Sequence, residues 1–201
     1  MVADLRIIDL RWSYPQPATF SLAVPNLTIR NSALTYVTGP SGGGKSTLLG
    51  LLAGTLASPV DVDRSLVFPR AAYVMHQSTL APWLCLDQNV RLEERLRGTP
   101  ADSQLLIELL ARFGLSWSDL RNHFPRQLSL GMRQRFELAK AVSFHPSLLL
   151  VDEGFSGIDG PTRDKVIEAL GEALTALTCA TVFTSHNIID GLRLADYIVP
   201  V

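Results

Sequence analysis

Residues 39–47, GPSGGGKST, admit few folds. They satisfy the spacing G-x-x-x-x-G-K-[ST] through Gly39, Gly44, Lys45 and Ser46. A strand-like run over residues 33–37 leads straight into them, and the residues from Lys45 onward read as helix. Glycine-rich backbone in that position can turn successive N–H groups inward around an anion, at the positive end of the helix that follows. The loop formed by Gly39, Pro40, Ser41, Gly42, Gly43, Gly44, Lys45, Ser46 and Thr47 is therefore the expected cradle for the β- and γ-phosphates of a nucleotide. Lys45 is expected on the phosphate oxygens and the Ser46 hydroxyl on Mg²⁺. A glycine turn with a chance Lys-Ser would match the string, but not the strand before it and the helix after it.

The remaining pattern alternates strand and helix. Strands are expected over residues 5–12, 20–27, 71–75, 148–151 and 180–184, with an edge strand over 197–199 and a turn at Asn31-Ser32. The helix from Lys45 carries Leu48, Leu49, Leu51 and Leu52 and stops at Gly54. Further helices are expected over 87–97, from Thr99-Pro100 to Phe113, from near Leu130 to before His145-Pro146, and after Gly160-Pro161. Such alternation implies an α/β architecture, a mainly parallel sheet with helices on both faces. At 201 residues with no repeat, low-complexity run or linker, residues 1–201 read as one domain.

Composition narrows the partners. Eighteen Lys+Arg against nineteen Asp+Glu give a net charge of -1, so nothing electrostatic argues for nucleic acid or an anionic lipid surface. No apolar run approaches the ~20 residues of a membrane-spanning helix, and the first residues alternate like a strand rather than forming a signal peptide. Cys85 and Cys179 make no metal or disulfide pattern, which fits a reducing cytoplasm. A hydrophobic share of 47% points toward a protein partner.

Two acids stand where phosphate chemistry needs them. Asp152 ends the apolar run 148–151, where a carboxylate can hold Mg²⁺ through water opposite Ser46. Glu153 follows at once, placed to polarise an attacking water as general base. In isolation, an acidic pair at a strand end could simply cap the next turn.

With the phosphate loop upstream, three strings in order carry a family resemblance: LSLGMRQR over 128–135, LLLVDE over 148–153 and SGID over 156–159. The first resembles the LSGGQ signature of the ABC ATPases in its LSGGMRQR form. The set resembles the ATPase subunit of an ABC transporter. That resemblance implies a P-loop NTPase core, an N-terminal antiparallel β subdomain and a helical subdomain inserted over approximately 79–145. It implies ATP and Mg²⁺ as cofactors. Two such domains would dimerise head to tail, each signature closing on the ATP held by the other's phosphate loop. Ser129 and Gly131 match the signature residues that touch that ATP, and Asp159 matches an acid that bridges the two sites. Gln77, in YVMHQ, matches a glutamine that senses Mg²⁺ and couples to the membrane subunit. His186, in FTSHN, matches a histidine that hydrogen-bonds the γ-phosphate, and Tyr14 an aromatic that stacks on adenine.

The departures are specific. Leu130 replaces the first signature glycine; its side chain forbids the positive φ that glycine allows, and its bulk can hold the facing ATP away. Gly154 stands where the family has proline after the acidic pair. The segment between Ala53 and Ala71 is short for the family, and the chain ends soon after Tyr197.

Residues 78–92, STLAPWLCLDQNVRL, with HFPRQLSLGMRQR and GIDGPTRDKV, resemble the nitrate/sulfonate/taurine importer ATPases. The partners so implied are an integral-membrane permease, a second ATPase subunit (a copy or a paralogue) and, indirectly, a periplasmic or extracellular binding protein. The chain would sit peripherally on the cytoplasmic face of the membrane. Two alternatives remain: an asymmetric subunit lending a weakened signature to a paralogue, and a soluble ABC protein acting on ribosomes or DNA. A compact domain at net charge -1 fits the latter poorly. A non-hydrolysing structural subunit is disfavoured by the presence of both Glu153 and His186.

Overall fold

The computed structural model describes residues 4–13, 21–56, 70–185, 189 and 193–201. Tyr14 and His186 lie outside the described residues.

Strands β1 (Leu5–Ser13) and β2 (Ser21–Ile29) pair antiparallel, from Leu5 against Ile29 to Ser13 against Ser21. The chain continues through β3 (Leu34–Thr38), α1 (Lys45–Ala53) and β4 (Ala71–Val74). Four helices follow: α2 (Leu86–Arg97), α3 (Ser103–Arg112), the short α4 (Trp117–Leu120) and α5 (Leu130–Ser143). Then come β5 (Leu148–Asp152), α6 (Gly160–Ala176), β6 (Ala180–Thr184) and β7 (Tyr197–Pro200). The larger sheet has the order β4-β5-β6-β3-β7, and each of its pairings is parallel.

This sheet is a wall between two cores, and β5 shows why. Every residue of its LLLVD sequence is buried, as expected of a central parallel strand covered on both faces. Period-2 alternation sends Leu149 and Val151 to one side, where they join Phe136, Leu138, Leu170 and Leu174 from α5 and α6. Leu148 and Leu150 point to the other side, onto Leu48, Leu49 and Leu52 of α1 and the inner face of the β1–β2 ribbon. Burying each such leucine contributes roughly 1.5–3 kcal/mol relative to exposure. That helical and antiparallel pieces cover opposite faces leaves the carboxyl ends of β3, β4, β5 and β6 free to build a site.

One helix start differs from expectation. Thr99-Pro100 does not open α3; Asp102 does, its carboxylate accepting the Leu105 backbone N–H at 3.0 Å. Gly98 ends α2 at φ 67, and the reversal is then tied down by Ala101 N–H on Glu94 (3.1 Å) and Asp102 N–H on the Ser143 carbonyl (2.8 Å). A carboxylate that satisfies an orphan donor at the helix terminus outweighs the Thr-Pro signal three residues earlier. Helix α4 and the 3₁₀ turn Pro125–Gln127 were not foreseen, being too short to show periodicity.

Candidate nucleotide site

The loop after β3 closes on itself through Lys45. Its Nζ donates to the carbonyls of Gly39 (3.0 Å) and Pro40 (2.9 Å), while the side chain is 9% exposed. An ammonium carries three N–H bonds, so one remains for an anion. Gly42 (φ 76) and Gly44 (φ 101) adopt left-handed backbone, which turns the loop into the first turn of α1. Gly39 is required for another reason: a Cβ there would lie 2.2 Å from the Val201 carbonyl oxygen, because the end of the chain packs behind the loop.

Ser41, Gly42, Gly44, Lys45, Ser46, Thr47 and Glu153 line a cavity of about 340 Å³. Gly43 supports the loop from within, its N–H on the Pro40 carbonyl at 3.0 Å.

Sheet register positions both acids, and Glu153 reaches the cavity. Asp152 pairs with Thr184 across β5 and β6, and the Thr184 hydroxyl donates to Asp152 Oδ1 at 2.8 Å. Tyr73 reaches Oδ2 from β4 at 3.5 Å; burial, and then the Asp152 charge, push its phenol well above the ordinary tyrosine value. Glu153 sits at φ 54, a left-handed conformation that costs a non-glycine residue of the order of 1–3 kcal/mol. Its N–H is held by both oxygens of Thr184, the carbonyl at 3.2 Å and the hydroxyl at 3.1 Å. Thr184, fully buried, thus ties both acids to β6. On the other side, β4 pairs with β5 at Val74 and Val151, and two residues beyond each lie His76 and Glu153. Nδ1 of His76 is 3.1 Å from Glu153 Oε2.

Gly154 follows from packing. A Cβ there would fall 2.4 Å from Cγ1 of fully buried Val151, so the chain approaches its own strand too closely for a side chain.

The donor set suits Mg²⁺. Among the described residues no group of three or more His, Cys, Asp or Glu could hold a metal alone. A Ser46 hydroxyl in the cavity lining, with Asp152 next to the lining residue Glu153, is the sparse, oxygen-only donor set that suits Mg²⁺ when substrate phosphate and water complete its shell.

Ser129, Gly131 and Asp159 form a second cluster, apart from the lining of that cavity. Ser129 and Asp159 cap α5 and α6: Ser129 Oγ accepts from Met132 N–H (3.2 Å) and Asp159 Oδ1 from Thr162 N–H (3.1 Å). The Thr162 N–H also lowers the Asp159 pKa, with a smaller pull from Arg135. The two caps are locked together, since Gln134 Nε2 donates to Ser156 Oγ at 2.8 Å and a Cβ on Gly131 would lie 2.5 Å from the Gly157 carbonyl oxygen. Leu130 is the first residue of α5 and is not among the residues with positive φ. The expected backbone penalty at Leu130 is therefore overturned: a helical first turn asks nothing special of it. Its side chain, 49% exposed, carries the whole departure. Gln77 is exposed in the bend after β4 and does not line the cavity.

Two contacting residues escaped the sequence reading. His76 and Thr184 become visible only when YVMHQ, LLLVDE and ATVFT are set side by side in parallel register.

A parallel α/β sheet with a glycine-rich loop after β3 and an acid pair at the end of β5, one strand removed across β6, defines a phosphate-loop nucleotide-binding domain. The ABC transporter family profile matches residues 22–156, and the chain belongs to that family. It is 34% identical to the Fe(3+) ions import ATP-binding protein FbpC 2 of Pectobacterium atrosepticum, over 87% of this chain and 54% of that protein. Against the aliphatic sulfonates import ATP-binding protein SsuB 2 of Pseudomonas syringae it is 31% identical, over 87% of this chain and 72% of the relative. The chain thus spans about half the length of the iron relative. In fold it is similar to a dimeric ATP-binding cassette in a post-hydrolysis state bound to ADP and Pi, with TM-score 0.80, 24% identity, and coverage of 98% of this chain and 93% of that one.

Proposed function

We propose that this chain is the ATP-binding and ATP-hydrolysing subunit of an ABC importer, driving a separate membrane permease by ATP-dependent dimer closure. The observation that carries the reading is the meeting of Lys45, Ser46 and Glu153 around one cavity at the carboxyl end of a parallel sheet. Lys45 and the loop N–H groups hold the phosphates. Ser46 and Asp152 would hold Mg²⁺, with Gln77 approaching from the bend after β4, and the ion would supply charge neutralisation on the phosphates. Glu153 takes a proton from water as the water oxygen attacks the γ-phosphorus, and ADP departs. His186 contacts the γ-phosphate and Tyr14 the adenine. Ser129 and Gly131 act on the ATP of the facing subunit, with Asp159 between the two sites.

Residues 79–145 serve as the inserted helical subdomain of a single cassette. They expose Trp83 (74%) and Leu96 (78%), a surface suited to a protein partner. No helix among the described residues is long and apolar enough to cross a membrane, so the permease is a separate chain or segment. The names of the two relatives favour import, and with it a binding protein on the far side and a peripheral place on the cytoplasmic face. Purifying the tagged protein from detergent-solubilised native membranes and identifying co-purifying proteins by mass tests this. A permease supports the reading; recovery with no membrane protein contradicts it.

A second reading is favoured by one observation, the exposed Leu130 at the start of α5. In it the chain pairs with a paralogue and lends that partner a weakened signature. A second ATPase in the same preparation would decide for it.

A further inference from the structure

Glu153 reaches the cavity from a backbone that is already fixed. Its N–H is gripped by Thr184 from β6 and its φ is 54, so the peptide cannot swing. The terminal carboxylate torsion of a glutamate is broad and roughly two-fold, so its neighbours decide where each oxygen points. His76, just beyond the end of the adjacent strand β4, reaches that carboxylate. His76 Nδ1 lies 3.1 Å from Oε2, with the imidazole 57% exposed and the glutamate side chain 15% exposed. The register of β4 on β5 builds this contact, since both residues stand two positions past the Val74–Val151 pair.

We propose that His76 is a positioning residue for Glu153, its Nδ1–H holding Oε2 so that Oε1 is presented to the water in the phosphate cavity; this rests on Glu153 being the general base. A carboxylate only accepts, so the nitrogen facing it is the protonated one, and Nε2 is turned toward solvent. His76 is not itself among the residues that line the cavity, whereas Glu153 is, so its action passes through Glu153. It works from the solvent side, where its replacement leaves the core intact.

Steady-state ATPase of the full chain tests this in four proteins: His76→Phe, His76→Asn, Glu153→Gln and the double variant Glu153→Gln with His76→Phe. Phenylalanine keeps the ring and loses the donor; asparagine puts an N–H close to where Nδ1 stands. The expected result for His76→Phe is a fall in kcat of about tenfold with KM for ATP little changed, the scale of a misplaced catalytic group. His76→Asn restores most of kcat. In the Glu153→Gln background, His76→Phe makes no further difference, because the pair acts as one unit. Wild-type kcat in His76→Phe, a loss that His76→Asn does not restore, or the same loss repeated in the Glu153→Gln background would each overturn the proposal. Normal turnover by Glu153→Gln alone would instead overturn the assignment of the base, and the two failures are distinct.

Discussion

Leu130 rests on Gly157: a Cβ added to Gly157 would come within 2.8 Å of Leu130 Cδ2. The side chain that departs from the family signature is thus braced against the segment leading to Asp159 while remaining 49% exposed. Its bulk stands at the mouth of α5, where the signature would meet a facing nucleotide.

Leu130→Gly therefore exposes the helix N-terminus and should raise ATP-dependent dimerisation, ATPase rate, or both, in the isolated protein. Loss of helix propensity costs about 0.5–1 kcal/mol at most. Sedimentation with ATP and steady-state turnover read the effect; if neither changes, Leu130 is not an obstacle.

Thr184→Val keeps the shape of a fully buried side chain but removes the hydroxyl that serves both acids. Asp152 loses a donor and the strained Glu153 peptide loses one of two acceptors. Urea denaturation should show a loss of roughly 1–3 kcal/mol, with turnover reduced as well. A stability equal to wild type would mean that water replaces the hydroxyl without penalty.

The helical region contains a partly buried ion pair with a predictable pH signature. Burial alone would raise the Glu93 pKa, but Lys140 and then Arg97 outweigh it and hold the group below its ordinary value of 4.5. A depressed folded-state pKa contributes stability that is present above the unfolded value and lost as pH falls through the folded one. Glu93→Gln, which takes the carboxylate from the buried Lys140 ammonium, should cost roughly 1.5–3 kcal/mol at neutral pH. The gap between variant and wild-type midpoints should shrink in acid below the ordinary glutamate value. A gap independent of pH would show that packing, not charge, is what Glu93 supplies.

Lys45→Ala removes the cation that closes the loop on Gly39 and Pro40. It should weaken ATP binding itself, seen by titration calorimetry, rather than only slow the chemistry. Unchanged affinity with lost turnover would move Lys45 from ground-state binding to the transition state.

The sequence made the sheet legible because strands such as LLLVD and ATVFT are mostly apolar on both faces, broken only by Asp152, Thr181 and Thr184, and bounded by turn residues, as buried parallel strands require. The phosphate loop was legible because its glycine spacing encodes backbone geometry directly. What escaped depends on register. Neither His76 nor Thr184 belongs to a string that names it, and each gains its role from lying beside an acid on the neighbouring strand. The Leu130 backbone was misjudged for a related reason: a glycine in a motif suggests positive φ, whereas here the position is an ordinary first turn of helix.

The most direct test of the account is Glu153→Gln, with ATP binding and turnover measured on the same preparation. The amide keeps the shape and the cavity but cannot take a proton from water. Nucleotide affinity should stay close to wild type, turnover should fall to a small residual rate, and the ATP-bound dimer should live longer. Wild-type turnover by Glu153→Gln would contradict the account and remove Glu153 from the chemistry.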